Sequence, residues 1–187
     1  MPRLGVLISG SGTNLQSIID ACQNGDLDAQ VGLVISSKKD AYGLERAKKA
    51  GIKGVYITDE EEIIKALKEE EIDLVVLAGY LSLVPQSIID AYPDRITNIH
   101  PSLIPSFSGK GYYGLRVHEA AIKRGVKVSG VTVHLVNENY DEGRILVQRP
   151  VEVKEGDSPE DLQKRVLKVE HEIYIEALKD LIEKEDL

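Results

Sequence analysis

Apolar residues in this chain form short continuous runs, separated by segments in which they recur every three to four positions. Leu4 to Ile8, Val31 to Ile35, Gly54 to Ile57 and Leu74 to Ala78 are runs of the first kind, and a shorter one begins at Ile96 in a fifth strand that carries Asn98 and His100. Their length and continuity are those of strands covered on both faces. Between them, Leu15 to Ala21 and Ala41 to Ala50 read as helices, the second closed by Gly51. Asp59 caps a third, carrying Ile63, Ile64 and Leu67, and Pro85 opens a fourth. Ser106 to Gly114 shows no periodicity and reads as a loop; a helix through His118 to Arg124 follows. Val128 to Val136 and Ile145 to Val153 are long strands, joined by a polar connection over 137–143 that is too long for a tight hairpin. Ser158-Pro159-Glu160 starts a C-terminal helix with the apolar stripe Leu162, Val166, Val169, Ile173, Ala177 and Leu181. Glu170 falls on the flank of that stripe and His171 opposite it. Strands alternating with helices predict an α/β fold: a Rossmann-like, open, mostly parallel twisted sheet with helices on both faces. No linker, repeat or low-complexity tract interrupts the pattern, so residues 1–187 are expected to form one domain.

Composition narrows the function classes. The 187 residues carry a net charge of −8, which disfavours nucleic acid and anionic membranes as partners. Any anionic ligand must be held by local features. Met1-Pro2-Arg3-Leu4 runs straight into a strand-like segment, so no signal peptide is expected, and no apolar run approaches membrane-spanning length. The single Cys22 cannot form an internal disulfide, in keeping with a reducing cytoplasm, and its place on the apolar side of a helix makes it a poor nucleophile.

Two stretches offer chemistry. Ser9-Gly10-Ser11-Gly12-Thr13-Asn14 links the first strand to the first helix. Such a turn aims free N–H groups and the positive helix end at one point, which suits a phosphate. Thr13 and Asn14 could both cap the helix and donate hydrogen bonds. The dinucleotide fingerprint is incomplete, because Leu15 stands where its third glycine belongs and Ser36-Ser37-Lys38-Lys39 where its acidic residue belongs. A phosphate monoester fits better, with a plain tight turn as the alternative. Asn98 and His100, two apart at a strand end, project to one side and put an amide beside an imidazole where open α/β sheets bind ligands. A buried polar pair closing the strand is the alternative. Asp141 sits in a loop between two strands, from which a carboxylate near His100 would orient it and favour its cation; a turn-forming Asp is the plainer reading. His134 reads as a hydrogen-bonded strand histidine, His118 and His171 as helix-surface residues. No HxH, HExxH or Cys pattern supports a metal site.

Taken in order, these motifs resemble the glycinamide ribonucleotide transformylases (phosphoribosylglycinamide formyltransferases), folate-dependent enzymes of purine synthesis. The matching pieces are Leu7 to Gln16, Asp40 to Ala47, Leu77 to Tyr80, Asn98 to Pro105, Gly130 to His134, Asp141 to Gly143, Gly156 to Ser158 and Glu170-His171. The resemblance implies a formyltransferase fold, with a ribonucleotide-binding half over about 1–95 and a catalytic, folate-binding half over about 96–187. It implies Asn98, His100 and Asp141 as the catalytic group and 10-formyltetrahydrofolate as co-substrate, with no metal. The ribonucleotide would meet Ser11, Gly12, Thr13, Asn14, Leu15, Leu81, Pro101 and Glu170. The folate would lie against Tyr80, Leu81, Ser82, Leu83, Val84 and Asn98 on one side and Asn137, Glu138, Asn139, Tyr140 and Asp141 on the other, with His134 behind. Partners would be small molecules only, and the protein a cytoplasmic monomer or homodimer. Three departures stand out: Ser82 where many members have Arg, a shortened region after Ile57, and a longer loop over 109–117 with Tyr112, Tyr113 and Arg116, a candidate lid over the folate cleft. Related formyltetrahydrofolate hydrolases and methionyl-tRNA formyltransferases carry an extra domain for which this chain is expected to leave no room.

Overall fold

The computed structural model describes residues 1–184; the last three positions of the expected domain lie outside the described residues. The chain runs β1 (Arg3–Ile8), α1 (Thr13–Asn24), β2 (Gln30–Ser36), α2 (Tyr42–Lys49), β3 (Lys53–Tyr56), α3 (Glu60–Glu69), β4 (Leu74–Leu77), α4 (Gln86–Ala91) and β5 (Ile96–His100). It continues through α5 (Leu115–Arg124), β6 (Val128–Leu135), β7 (Ile145–Glu152) and α6 (Pro159–Lys184). All seven strands join one sheet in the order β3-β2-β1-β4-β5-β6-β7. Pairing is parallel from β3 to β5 and antiparallel from β5 through β7; β6 and β7 are joined by a wide hairpin, whereas β5 and β6 pair antiparallel although the chain between them passes through α5.

Alternation within each strand divides the core into two layers. Leu4, Val6 and Ile8 of β1 pack with α1, α5 and α6, whereas Leu7 packs with α3 and α4 through Ile63, Leu67 and Ile88. Gly5 faces the second layer. A Cβ there would lie 2.7 Å from Leu67 and 2.9 Å from Ile72, so α3 closes on β1 because position 5 has no side chain. The strand order turns back at β1, whose neighbours are β2 and β4, and this is where sheets of this kind leave a crevice at their carboxyl ends.

The C-terminal helix departs from the expected stripe. Its buried side is Leu162, Val166, Glu170, Ile173, Tyr174, Ala177, Leu178, Leu181 and Ile182. Val169 is half-buried, Glu170 lies inside the stripe rather than on its flank, and His171 is half-buried with Nε2 enclosed rather than turned to solvent. The reason is tertiary: α6 packs on β6, β7, α1 and α5 together, so more of its circumference is covered than one apolar stripe suggests.

Candidate active site

A cleft of about 410 Å³ opens where β1, β4 and β5 end. Its floor at one end is the turn after β1. Gly12 is the N-cap of α1, held at φ 71, and no side chain caps this helix, so the capping role expected of Thr13 and Asn14 is not realised. Asn14 instead turns inward. It is buried, its Nδ2 donates to Glu170 Oε2 at 2.7 Å, and its Oδ1 is enclosed without a partner. Burial pushes the Glu170 carboxyl above its ordinary pKa, with the Asn14 hydrogen bond acting against it. The sequence signal for this pairing is weak, since 156 positions separate the two residues.

At the other end, β5 sets Asn98 and His100 on the same side, and antiparallel pairing places His134 of β6 directly opposite Asn98. Asn98 Nδ2 lies 3.2 Å from His134 Nε2. His134 Nδ1 is 2.7 Å from the Leu135 carbonyl, which can only accept, so Nδ1 carries the proton and Nε2 accepts from Asn98. The second Asn98 N–H reaches Asp141 Oδ1 at 3.5 Å, a long bond.

Asp141 comes to this group from the β6–β7 loop with φ 57, a left-handed conformation that Asp tolerates better than most residues. Its Oδ2 accepts from the Gly109 N–H at 2.9 Å and lies 3.5 Å from His100 Nδ1, and its Oδ1 lies 3.6 Å from His134 Nε2. Burial works to raise the Asp141 carboxyl, but His134, His100 and the Gly109 N–H together outweigh it and hold the pKa below its ordinary value.

His100 is 4% exposed and held from both sides. Its Nε2 donates to the Phe107 carbonyl at 2.8 Å. Phe107 sits at φ 50, an unfavourable conformation for a bulky residue that aims its carbonyl at the imidazole. Burial lowers the His100 pKa below its ordinary value, and the Asp141 charge and Phe107 carbonyl only partly offset this. Asp141 therefore acts toward the cation, as the sequence suggests, but without outweighing burial.

Most of the sequence-derived site lies on this cleft: Ser11, Thr13, Asn14, Tyr80 to Val84, Asn98, His100, Pro101, His134, Asn137, Asn139, Tyr140, Asp141 and Glu170 line it. Three residues do not. The Leu15 side chain is fully buried in the core, Glu138 is exposed to solvent beside the wall, and Gly12, the N-cap of α1, is turned against Gly43 of α2. Sequence reasoning missed Gln163, Leu167 and, above all, His118. Far from being a surface residue, His118 is 1% exposed, with Nδ1 enclosed and partnerless. Its spacing to Ala121 on the buried face of α5 was the available signal. Gly109, Gly111, Tyr112, Tyr113 and Gly114 also border the cleft. Among the described residues, no three His, Cys, Asp or Glu side chains group as metal ligands, and no helix is long and apolar enough to cross a membrane.

Comparison with known proteins gives this geometry its relatives. The profile of the family described as formyl transferase matches residues 2–178. A chloroplastic phosphoribosylglycinamide formyltransferase of Arabidopsis thaliana is 42% identical over 94% of the chain, and the chain spans 64% of that relative's length. The phosphoribosylglycinamide formyltransferase of Haemophilus influenzae is 42% identical over 93% of the chain and 84% of its own length. The crystal structure of glycinamide ribonucleotide transformylase 1 from Symbiobacterium toebii superposes with a TM-score of 0.93 at 46% identity, covering 98% of this chain and 89% of that one. With nearly the whole chain matched in sequence and in fold, the protein belongs to the formyl transferase family.

Proposed function

We propose that the protein transfers the formyl group of 10-formyltetrahydrofolate to the amine of glycinamide ribonucleotide, a step of de novo purine synthesis, and does so as a cytoplasmic enzyme. The observation that carries this reading is the convergence of Asn98, His100 and Asp141 on one wall of a cleft that ends at the glycine turn of α1. The ribonucleotide phosphate would sit on the N–H groups of Gly12, Thr13 and Asn14, and the ribose or glycinamide end against Glu170. The folate pterin would lie between residues 81–84 and 137–141.

Chemistry follows from that placement. The amine nitrogen attacks the formyl carbon, and negative charge develops on the formyl oxygen. The second Asn98 N–H leaves its long bond to Asp141 and donates to this oxygen, and the His100 Nε2–H, given to Phe107 in the free protein, does the same. As the oxyanion forms, its charge favours uptake of a proton from solvent at His100 Nδ1, facing Asp141, and that proton returns to solvent as the intermediate collapses. Asp141 then helps pass the proton lost by the amine, through water, to the folate nitrogen as the bond from carbon to that nitrogen breaks.

The test follows folate absorbance with and without the ribonucleotide. The expected result is turnover that requires the ribonucleotide and falls in Asp141→Asn on the order of 10²-fold or more, with an unchanged unfolding midpoint. Turnover without the ribonucleotide would mean hydrolysis, and no turnover in either mixture would mean the catalytic reading is wrong.

A further inference from the structure

The glycine turn is held from behind by α2. Gly43 N–H donates to the Gly10 carbonyl at 3.1 Å, and Arg46 Nε donates to the Ser11 carbonyl at 2.8 Å. The two glycine-bearing segments touch so closely that a Cβ at position 12 would lie 2.8 Å from the Gly43 Cα. Arg46 is itself fixed: Nη1 reaches Gln16 Oε1 at 3.3 Å, and the guanidinium lies 5.1 Å from the Tyr42 ring centre. All three of these Arg46 partners are neutral.

A trans peptide is planar, with its C=O and the following N–H pointing opposite ways. Tethering the Gly10 and Ser11 carbonyls toward α2 therefore turns the N–H groups of Ser11 and Gly12 away from α2. The same tethers keep both carbonyl oxygens off any anion at the turn. Among the described residues, none of the N–H groups of Ser11 to Asn14 donates to protein, while Ser11, Thr13 and Asn14 line the cleft.

From this we infer that Arg46 is a positioning residue for the anion-binding turn: it fixes the Ser11–Gly12 peptide so that the phosphate of the substrate meets N–H groups already aimed at it. The inference rests on the ribonucleotide reading above. Arg46 acts through Ser11 and does not touch substrate. A lysine keeps the charge but lacks the planar guanidinium that meets Ser11, Gln16 and Tyr42 together.

The experiment compares glycinamide ribonucleotide with its dephosphorylated riboside in wild type, Arg46→Ala and Arg46→Lys. In both variants, discrimination in kcat/KM between the two substrates should fall about tenfold, the size of one charge-assisted hydrogen bond, through a higher KM for the ribonucleotide. Full recovery in Arg46→Lys would show that charge alone acts and overturn the positioning role. So would equal losses on both substrates, or no loss at all. A parallel titration with inorganic phosphate, followed at the amide signals of residues 11–14, needs no turnover and so separates this inference from the assigned reaction. Wild type should shift these signals and Arg46→Ala should need about tenfold more phosphate. Identical titrations, or no response in wild type, would overturn the inference even if formyl transfer were established.

Discussion

At the scale of the residue, burial sets the character of the ionisable groups around the cleft. His118 is the clearest case. Burial, with a smaller contribution from neighbouring His100, lowers its pKa from 6.5 to about 4. The unfolded chain therefore binds more protons than the native state between those values, and the stability that neutral His118 contributes is complete above pH 6.5 and lost as pH falls toward 4. The shift corresponds to about 3 kcal/mol. Denaturant unfolding measured across this window should give a steep acid limb in wild type and a flatter one in His118→Gln. Equal slopes would show that His118 does not drive the loss. His100 and His171 are lowered in the same direction and contribute to the same limb, so the variant should flatten it without abolishing it.

At the scale of the element, the β6–β7 hairpin delivers the Asp141 carboxylate to the cleft. Its pairing shifts register between Val133 and His134, and the Leu135 N–H bonds to the Arg144 carbonyl at 2.8 Å as the loop begins. Gly143 packs so tightly on Leu135 that a Cβ there would overlap the Leu135 carbonyl. The loop is thereby drawn over the sheet, and Asp141, two residues earlier, reaches Gly109 and His100. Gly143→Ala should push the loop outward, lowering kcat by at least tenfold while costing about 1–3 kcal/mol of stability. Paired kinetic and unfolding measurements would check this; an active, fully stable Gly143→Ala protein would show that the loop has slack that the packing denies.

At the scale of the whole molecule, α6 ties the two halves of the sheet together. The Tyr174 hydroxyl, fully buried, donates to the Leu77 carbonyl of β4 at 2.9 Å and lies 3.2 Å from Thr97 Oγ1 of β5. Glu170, one turn earlier, holds Asn14 at the start of α1. One helix thus touches the glycine turn before α1 and the β4–β5 pair, whose second strand carries Asn98 and His100. Tyr174→Phe, which leaves a buried carbonyl short of a donor, should destabilise the protein by about 1–2 kcal/mol. Unfolding should remain a single transition, as expected if residues 1–184 form one cooperative unit. Two separated transitions in a thermal scan would show instead that the halves unfold independently.

The sequence by itself determined the strands, the glycine turn and the pairing of Asn98 with His100, because these depend on local periodicity, on chain-neighbour spacing and on motifs contiguous along the chain. Asp141 was legible as a candidate through its family pattern, and the Asp59 cap through its place before a helical run: its carboxylate accepts from the Glu62 N–H at 3.0 Å. What no local pattern carried was decided by packing at a distance. Glu170 and His118 look like a helix-flank acid and a surface histidine until α6 and α5 are laid against their neighbours and water is excluded from both. Likewise, the chain shows Phe107 only as an aromatic in a glycine-rich loop; the fold turns its carbonyl onto His100 and so fixes which nitrogen holds the proton. Residue type and order specify which groups are present, but desolvation and orientation, which set their charge and reach, exist only once distant segments share one interior.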